Sequence, residues 1–310
     1  MRAVTLAICV VAAGAGASVI AQSATDARQR CHSYAGPESG TPDRAIAGCT
    51  AVIESDRFTT AERLDALAAR GVLFRKTGQF DLAVVDLTEV LRIRVAADDV
   101  YVERGMALNA TRQPELAMAD FNEAIRLNPK NTAALSQRAV AYRQKGQYDE
   151  AIHDLDRAVA LTPQDPWAVS ERGLDHVSKG ELDLAIRDFD RALELAPTSA
   201  WTIAERGTAY RLTGQYERAI ADLTSAIALD ADEWSFAERG AAYLQAGRYK
   251  EAIEDFTKAT ENGGQAWALY ARGIAKQKAG DVAGADADMR AARDLRTDVA
   301  AQVAKDGLGP

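Results

Sequence analysis

The chain has 310 residues, of which 47% are hydrophobic and 6% aromatic. This length is enough for two average domains or for one extended array of repeats. The formal net charge is −8, and no local cluster of Lys and Arg offsets it. The charge therefore argues against nucleic acid as a partner, because a nucleic-acid-binding surface needs basic character.

The first 23 residues differ in kind from the rest of the chain. An uncharged apolar segment, residues 3–20, is followed by small residues at Ala21 and Ser23 and by the first acidic residue, Asp26. This order is typical of a cleavable export signal. The alternative is a membrane anchor, for which eighteen residues rich in Ala and Gly are short. We predict a signal peptide over residues 1–23, a periplasmic or secreted protein, and no stable membrane insertion after cleavage.

Two cysteines, Cys31 and Cys49, remain once such a signal is removed. An exported protein meets an oxidising compartment, where an even number of cysteines favours a disulfide. The alternative is a pair of free buried thiols. We predict a Cys31–Cys49 disulfide that stabilises the N-terminal end of the chain.

Seven units of 33 or 34 residues repeat along most of the chain. Each has an Arg followed by a small residue, which we call the reference residue of the unit. The reference residues are Gly71, Gly105, Ala139, Gly173, Gly207, Gly240 and Gly273. A Gly comes seven residues later in six units, and an Ala comes twelve later in all seven. Internal similarity at a fixed period indicates a repeat architecture.

Each unit is predicted to form two helices. Apolar and small residues recur at helical spacing on both sides of the mid-unit Gly, which marks the turn between the helices. Pro129, Pro163 and Pro197 end three of the units. Because a single helix pair cannot bury its own apolar face, neighbouring units must stack to complete the core.

This pattern resembles the tetratricopeptide repeat family, in an exported bacterial form. One unit shows the family pattern at Ala139, Tyr142, Gly146, Tyr148, Ala151, Leu155, Ala158 and Pro163. The resemblance implies an all-α fold, a right-handed superhelical solenoid of helix-turn-helix repeats whose concave surface binds peptides or protein segments. Departures occur where Leu108, His176 and Lys276 replace the aromatic residue, and where residues 112–114 replace the Gly turn.

The repeat boundaries give the predicted domain organisation. Residues 24–63 form a degenerate N-terminal repeat with the disulfide, and residues 64–299 form the seven repeats. A capping box at Thr59 and Glu62 is expected to begin the first full repeat. Residues 300–310 form a C-terminal cap and tail, and we expect the last four residues of the tail to fray.

An Asp also lies fifteen residues after every reference residue. Together with the Arg that precedes the reference residue, it gives seven couples. Each is predicted to join the two helices of a unit, or one unit to the next, as a structural ion pair. The couples are Arg70–Asp86, Arg104–Asp120, Arg138–Asp154, Arg172–Asp188, Arg206–Asp222, Arg239–Asp255 and Arg272–Asp288.

All four tryptophans lie six residues before a reference residue, in the last four units. The same helical face contains the positions three before, one after and four after the reference residue. We call this surface the tryptophan face, and by resemblance to the family it lines the concave groove. Its predicted binding residues are Trp167, Ser170, Leu174, Trp201, Ala204, Thr208, Arg211, Trp234, Ala237, Trp267 and Tyr270. Equally, each Trp could pack against the preceding repeat, and the two interpretations are compatible.

The sequence contains no recognisable catalytic, cofactor or metal motif. Its three histidines lie in different units, away from metal-like spacing. The family's clamp for a C-terminal carboxylate is unmatched, with Asp65 and Ala68 in its places. We predict a non-catalytic scaffold, without a small-molecule cofactor, that binds a protein or peptide in the groove. The alternatives are a structural subunit of a cell-envelope assembly that uses convex or terminal surfaces, and an enzyme of unrecognised type.

Overall fold

The computed structural model describes residues 26–32, 41–261 and 266–309. All regular secondary structure in these residues is helical. The fold class is the predicted all-α solenoid of helix-turn-helix repeats. The predicted signal peptide, residues 1–23, lies outside the described residues. Across the described ranges, none of the helices has the length and apolar character needed to span a membrane.

The helices form an N-terminal helix, seven hairpins and a C-terminal helix. Helix α1 spans Pro42–Glu54 and α16 spans Val299–Lys305. The first and second helices of the seven hairpins are α2 (Thr60–Lys76) and α3 (Phe80–Ile93), α4 (Asp98–Ala110) and α5 (Pro114–Leu127), α6 (Thr132–Gln144) and α7 (Tyr148–Leu161), α8 (Pro166–Lys179) and α9 (Leu182–Leu195), α10 (Ala200–Leu212) and α11 (Tyr216–Leu229), α12 (Glu233–Gln245) and α13 (Tyr249–Ala259), and α14 (Ala266–Lys278) and α15 (Val282–Leu295).

The contacts divide the chain into two compact units, between Ala141 and Tyr142. Unit 1 contains α1 to α5 and most of α6, and unit 2 contains the last residues of α6 and α7 to α16. The repeat pattern gives no sign of this division, because the same residue types recur on both sides of it.

The turn inside each hairpin depends on a left-handed backbone conformation. The Gly seven residues after the reference residue has a φ between +72° and +92° in six repeats. Glycine adopts this conformation without the steric strain that a Cβ atom introduces. In the second repeat Arg112 takes the same position with a φ of +59°. The turn geometry is therefore kept even where the glycine is absent, and Pro114 begins the next helix.

The reference residues allow the two helices of a hairpin to approach closely. A Cβ atom added to Gly105 would lie 2.6 Å from Cε1 of Phe121, which is fully buried on the second helix. Gly173 meets Phe189 in the same way in the fourth repeat. Larger residues at these positions would push the helices apart, which explains the small residue in every unit.

The N-terminal residues pack against the first helix of the first full repeat. Residues 26–31 are helical, and Cys31 and Cys49 are both buried with their sulfur atoms at bonding distance. Their Cα atoms are 4.4 Å apart, within the range that a disulfide spans. The predicted capping box is present: Thr59 Oγ1 accepts from the N–H of Glu62, and the Glu62 carboxylate accepts from the N–H of Thr59.

The Arg–Asp couples join the two helices of six repeats. In six of the seven, the guanidinium donates through Nε and Nη2 to both carboxylate oxygens, with distances of 2.6–2.9 Å. The seventh couple, Arg138 and Asp154, falls on either side of the division between the units. Hydrogen bonding to Asp222 raises the pKa of Arg206 above its usual value.

The same arginines also reach the repeat before them. The remaining donor, Nη1, binds a side-chain oxygen on the preceding second helix, as Arg104 does with Thr88 and Arg206 with Asp190. Arg70, Arg138, Arg172, Arg239 and Arg272 make corresponding contacts. The couples therefore tie helix to helix and repeat to repeat, so the two arrangements considered from the sequence occur together.

Replacing Asp222 with Asn should lower the free energy of unfolding by about 2 kcal/mol. The substitution removes the charge from two charge-assisted hydrogen bonds to the half-buried Arg206. Chemical denaturation monitored by circular dichroism measures this change. The control is Glu261→Gln, which alters an exposed acid at a repeat end and should leave stability unchanged. Equal stability of the two variants would contradict a structural role for the couple.

Candidate functional site

The four tryptophans lie in the first turn of the first helices of the last four repeats. Asp165, Ser199 and Asp232 are the N-cap residues of α8, α10 and α12, and their side chains accept hydrogen bonds from the first-turn N–H groups. Capping of this kind fixes where a helix begins. The tryptophan therefore occupies the second helical position in α8, α10, α12 and α14.

The tryptophans differ in exposure along the row. Trp167 and Trp201 each keep 39% of their surface exposed. Trp234 is half-buried against a core cluster that includes Ile203 and Ala226 of the preceding repeat. Trp267 is also half-buried and makes an edge-to-face contact with Phe256, with ring centroids 6.1 Å apart. Trp234 and Trp267 therefore pack against the preceding repeat, and Trp167 and Trp201 keep exposed surface.

The C-terminal tail accounts for the burial of Trp267. The indole Nε1 of Trp267 donates to Oδ2 of Asp306 at 2.6 Å. Arg211 donates from Nη1 to the backbone carbonyl of Asp306 at 3.3 Å. Leu308 is 2% exposed and joins a core cluster with Leu244. The prediction that the tail frays is wrong for residues 307–309, because the apolar side chain of Leu308 finds a buried position on the first helices of the last repeats.

A cleft of about 630 Å³ lies beside this tail. Trp234, Trp267 and Glu238 line it from the first helices, and Gln302 and Asp306 line it from the C-terminal segment. The tryptophan face of the last two repeats is therefore shared with the chain's own C terminus.

Six other predicted binding residues are buried, so their assignment to an open groove needs correction. Ser170, Ala204, Thr208, Arg211, Ala237 and Tyr270 are each at most 9% exposed. Short side chains on neighbouring first helices pack directly together, as in the hydrogen bond between Ser170 and Thr202 at 3.2 Å. The hydroxyl of Tyr270 accepts a hydrogen bond from Arg293 instead of facing a ligand. Leu174 is only half-buried.

The structure reveals a row of ion pairs that the sequence analysis missed. An Arg four residues after one reference residue pairs with a Glu two residues before the next. Arg75 binds Glu103 at 2.5 Å in unit 1. In unit 2, Arg143 binds Glu171 at 2.5 Å and Arg211 binds Glu238 at 2.9 Å. The signal was available in the recurring Glu-Arg-Gly triplet, which occurs in four repeats.

Glu205 occupies the Glu position of this row without an arginine partner. Val177 stands in the preceding repeat where the other pairs have their arginine. Glu205 is 9% exposed and accepts no hydrogen bond from any described residue. Burial, together with the nearby carboxylates of Glu238 and Glu171, raises the pKa of Glu205 to about 7, against the attraction of Arg143.

A second buried carboxylate lies in the same region. Asp175 is fully buried where most repeats have Ala, and Arg143 donates to its Oδ1 at 3.2 Å. Its other oxygen, Oδ2, has no hydrogen-bond partner among the described residues. Burial raises the pKa of Asp175 to about 6, against the opposing charge of Arg143.

The site shows no arrangement suited to metal binding. Among the described residues, no group of three His, Cys, Asp or Glu side chains is placed to hold a metal ion. His176 pairs with Glu181, its Nδ1 lying 2.7 Å from Oε2, near the turn of the fourth hairpin. Unit 2 has exposed indole surface at Trp167 and Trp201 and buried carboxylates at Glu205 and Asp175.

The unpaired Glu205 should make stability depend on pH. Its pKa is near 7 in the folded state and 4.5 in the unfolded chain, so folding retains a proton that the unfolded chain releases. The free energy of unfolding should therefore fall by up to about 3 kcal/mol between pH 4.5 and 7 from this group. Glu205→Gln should flatten this slope in denaturant titrations at several pH values. Glu217→Gln, an exposed acid in the same repeat, should leave it unchanged, and equal slopes in the two variants would contradict the assignment.

Four models of tetratricopeptide repeats match the chain. They are described as a TPR repeat, at residues 139–174, and as tetratricopeptide repeats at residues 121–153, 98–131, 170–232 and 204–266. Together the matches extend over residues 98–266, which is more than half of the chain. No sequence among the curated proteins matches the chain.

Solved structures share the fold at low sequence identity. The Cut9–Hcn1 hetero-tetramer of the APC/C aligns with a TM-score of 0.69 at 14% identity over 86% of this chain, which spans only 52% of the matched chain. A tetratricopeptide repeat protein from Parabacteroides merdae gives 0.62 at 20% identity, covering 83% of this chain and 97% of that one. PilW, a type IV pilus biogenesis factor, gives 0.61 at 20% identity, covering 67% and 97%.

These likenesses show the fold, and the repeat models show the sequence pattern that produces it. Proteins with this fold generally act as scaffolds for protein–protein interaction. The recurring hairpins and the matching repeat models establish that the chain belongs to the tetratricopeptide repeat family.

Proposed function

We propose that the protein is a non-catalytic scaffold that binds a segment of another polypeptide along the tryptophan face of unit 2. The observation on which this rests is the exposure of Trp167 and Trp201, at 39% each, in the same register of successive repeats. Two large aromatic side chains at matching positions form a repeated contact surface. An extended segment lying across α8 and α10 would meet both.

The physical chemistry of tryptophan supports this assignment. An indole offers a large apolar surface and one N–H donor, and tryptophan is enriched among the residues that dominate binding energy at interfaces. Trp167 and Trp201 belong to capped helices whose packing fixes their backbone, so little ordering of the site is needed on binding. The C-terminal tail limits the site on one side, through its contacts with Trp267 on α14 and with Arg211 at the end of α10.

A second surface favours the alternative of a structural subunit. The second helices α3 and α5 in unit 1 expose large apolar side chains, with Leu82 48%, Val85 64% and Leu116 54% exposed. These residues would suit a partner that docks on the second helices of unit 1. An enzymatic role has no corresponding observation in the described residues.

Replacing both Trp167 and Trp201 with Ala should abolish partner capture. Loss of one central tryptophan contact costs about 2 kcal/mol or more, so the double variant should bind at least 100-fold more weakly if the two effects add. The measurement is quantitative crosslinking and mass spectrometry of captured proteins, with circular dichroism to verify the fold. The matched control is the double variant Leu82→Ser and Leu116→Ser. Retained capture by the tryptophan variant and loss by the leucine variant would favour the structural-subunit alternative.

We also propose that the protein is exported and that Cys31 and Cys49 form a disulfide. The apolar N-terminal segment and the adjacent buried sulfur atoms support this. The mature protein should begin near residue 24 and contain no free thiol. Intact-mass measurement with and without reduction and alkylation tests both statements. A retained N terminus, or two alkylated cysteines before reduction, would contradict the proposal.

A further inference from the structure

The ion-pair row on the first helices has one incomplete member. At three junctions between successive repeats, the residue four after one reference residue pairs with the residue two before the next. Three junctions have Arg and Glu at these positions, and two have neutral residues at both. Only the junction between the fourth and fifth repeats has a Glu without its Arg, because Val177 precedes Glu205.

The neighbouring pairs show what the missing partner would supply. Arg143 and Arg211 each place a guanidinium against the Glu of the following repeat, at 2.5 Å and 2.9 Å, and both arginines are largely withdrawn from solvent. Glu205 is 91% buried by the same first helices and has no such donor. A buried carboxylate without a hydrogen-bonded cation is unfavourable, and a ligand that supplies the cation removes that penalty.

The charged groups around Glu205 also favour a cationic ligand. The carboxylates facing it are Glu171 on α8 and Glu238 on α12, and the cation that acts on it is Arg143 on α6. With Asp175 and Arg211, the region contains four carboxylates against two guanidinium groups. Asp175 also has an oxygen without a hydrogen-bond partner. The interior of this face therefore has an excess of negative charge that a cation would balance.

The position of Glu205 places this charge beside the exposed tryptophans. Glu205 lies four residues after Trp201 on α10, one helical turn along the same helix, and its 9% exposure leaves a route for a ligand atom. A segment that contacts Trp167 and Trp201 would therefore pass close to the unpaired carboxylate. Apolar contact and charge pairing would act on the same stretch of ligand.

We infer that the bound polypeptide places an Arg or Lys side chain beside Glu205. This side chain takes the position that Arg143 and Arg211 occupy in the neighbouring pairs. This rests on the proposed function of the tryptophan face. The ligand is thus a segment with a basic residue flanked by apolar ones, and Glu205 determines the preference for the basic residue. An acidic segment would meet uncompensated carboxylates and bind poorly.

Pools of nonapeptides test the inference. Each pool has Ala, Leu and Ser mixed at the outer positions and one fixed central residue: Arg, Lys, citrulline, Gln or Glu. We expect the Arg and Lys pools to bind at least tenfold more tightly than the citrulline and Gln pools, because a hydrogen-bonded buried charge is replaced by a neutral group. Fluorescence anisotropy with labelled pools measures the affinities. Glu205→Gln should remove the preference for the Arg and Lys pools over the citrulline and Gln pools.

Val177→Arg supplies the missing guanidinium within the chain. It should raise the melting temperature at pH 8 by a few degrees and abolish the preference for basic pools, because the place beside Glu205 is then filled. Val177→Met, which lacks the charge, should keep the preference. Equal binding of all pools by the wild type, or an unchanged preference in Glu205→Gln, would overturn the inference and leave the tryptophan face as the binding surface. Absence of any binding that depends on Trp167 and Trp201 would overturn the proposed function as well.

Discussion

The bidentate ion pair between an arginine and an aspartate sixteen residues apart is the contact on which the described repeats depend. It sets the relative height of the two helices, so that the reference glycine meets a buried aromatic or aliphatic side chain on the second helix. Its remaining donor binds the previous repeat and fixes the step from one hairpin to the next. Because all three guanidinium nitrogens donate and the aspartates are largely buried, the geometry is specified as well as stabilised.

Because the hairpins repeat regularly, equivalent residues of successive first helices occupy equivalent positions. Residues that depart from the repeat pattern are therefore informative. The tryptophans all occupy the second position of their helices, yet Trp167 and Trp201 are exposed while Trp267 contacts the C-terminal tail. In the ion-pair row, a valine at a single position leaves Glu205 without a donor. In a repeat protein the neighbouring units act as internal controls, since the same position is seen with and without a given side chain.

The exposed indoles and the buried carboxylate of the proposed site contribute different interactions. The exposed indoles contribute apolar area, which is tolerant of ligand sequence, whereas a buried carboxylate discriminates by charge. Placing the carboxylate one helical turn from Trp201 allows binding strength and selectivity to be set on one helix. The C-terminal segment contacts Trp267 on α14 and Arg211 at the end of α10, so the exposed indoles of Trp167 and Trp201 are the accessible part of the face.

The sequence by itself determined the hairpins, their turns and the Arg–Asp couples, because each follows from residue types at fixed spacing and acts over short distances. The capping box at Thr59 and the left-handed turn positions belong to the same class. Only the tertiary structure decided which residues of the tryptophan face are covered, because burial depends on what packs above a helix. The docking of Leu308 and the lack of a partner for Glu205 arise from contacts between separate repeats and the C terminus, which spacing within a unit does not specify.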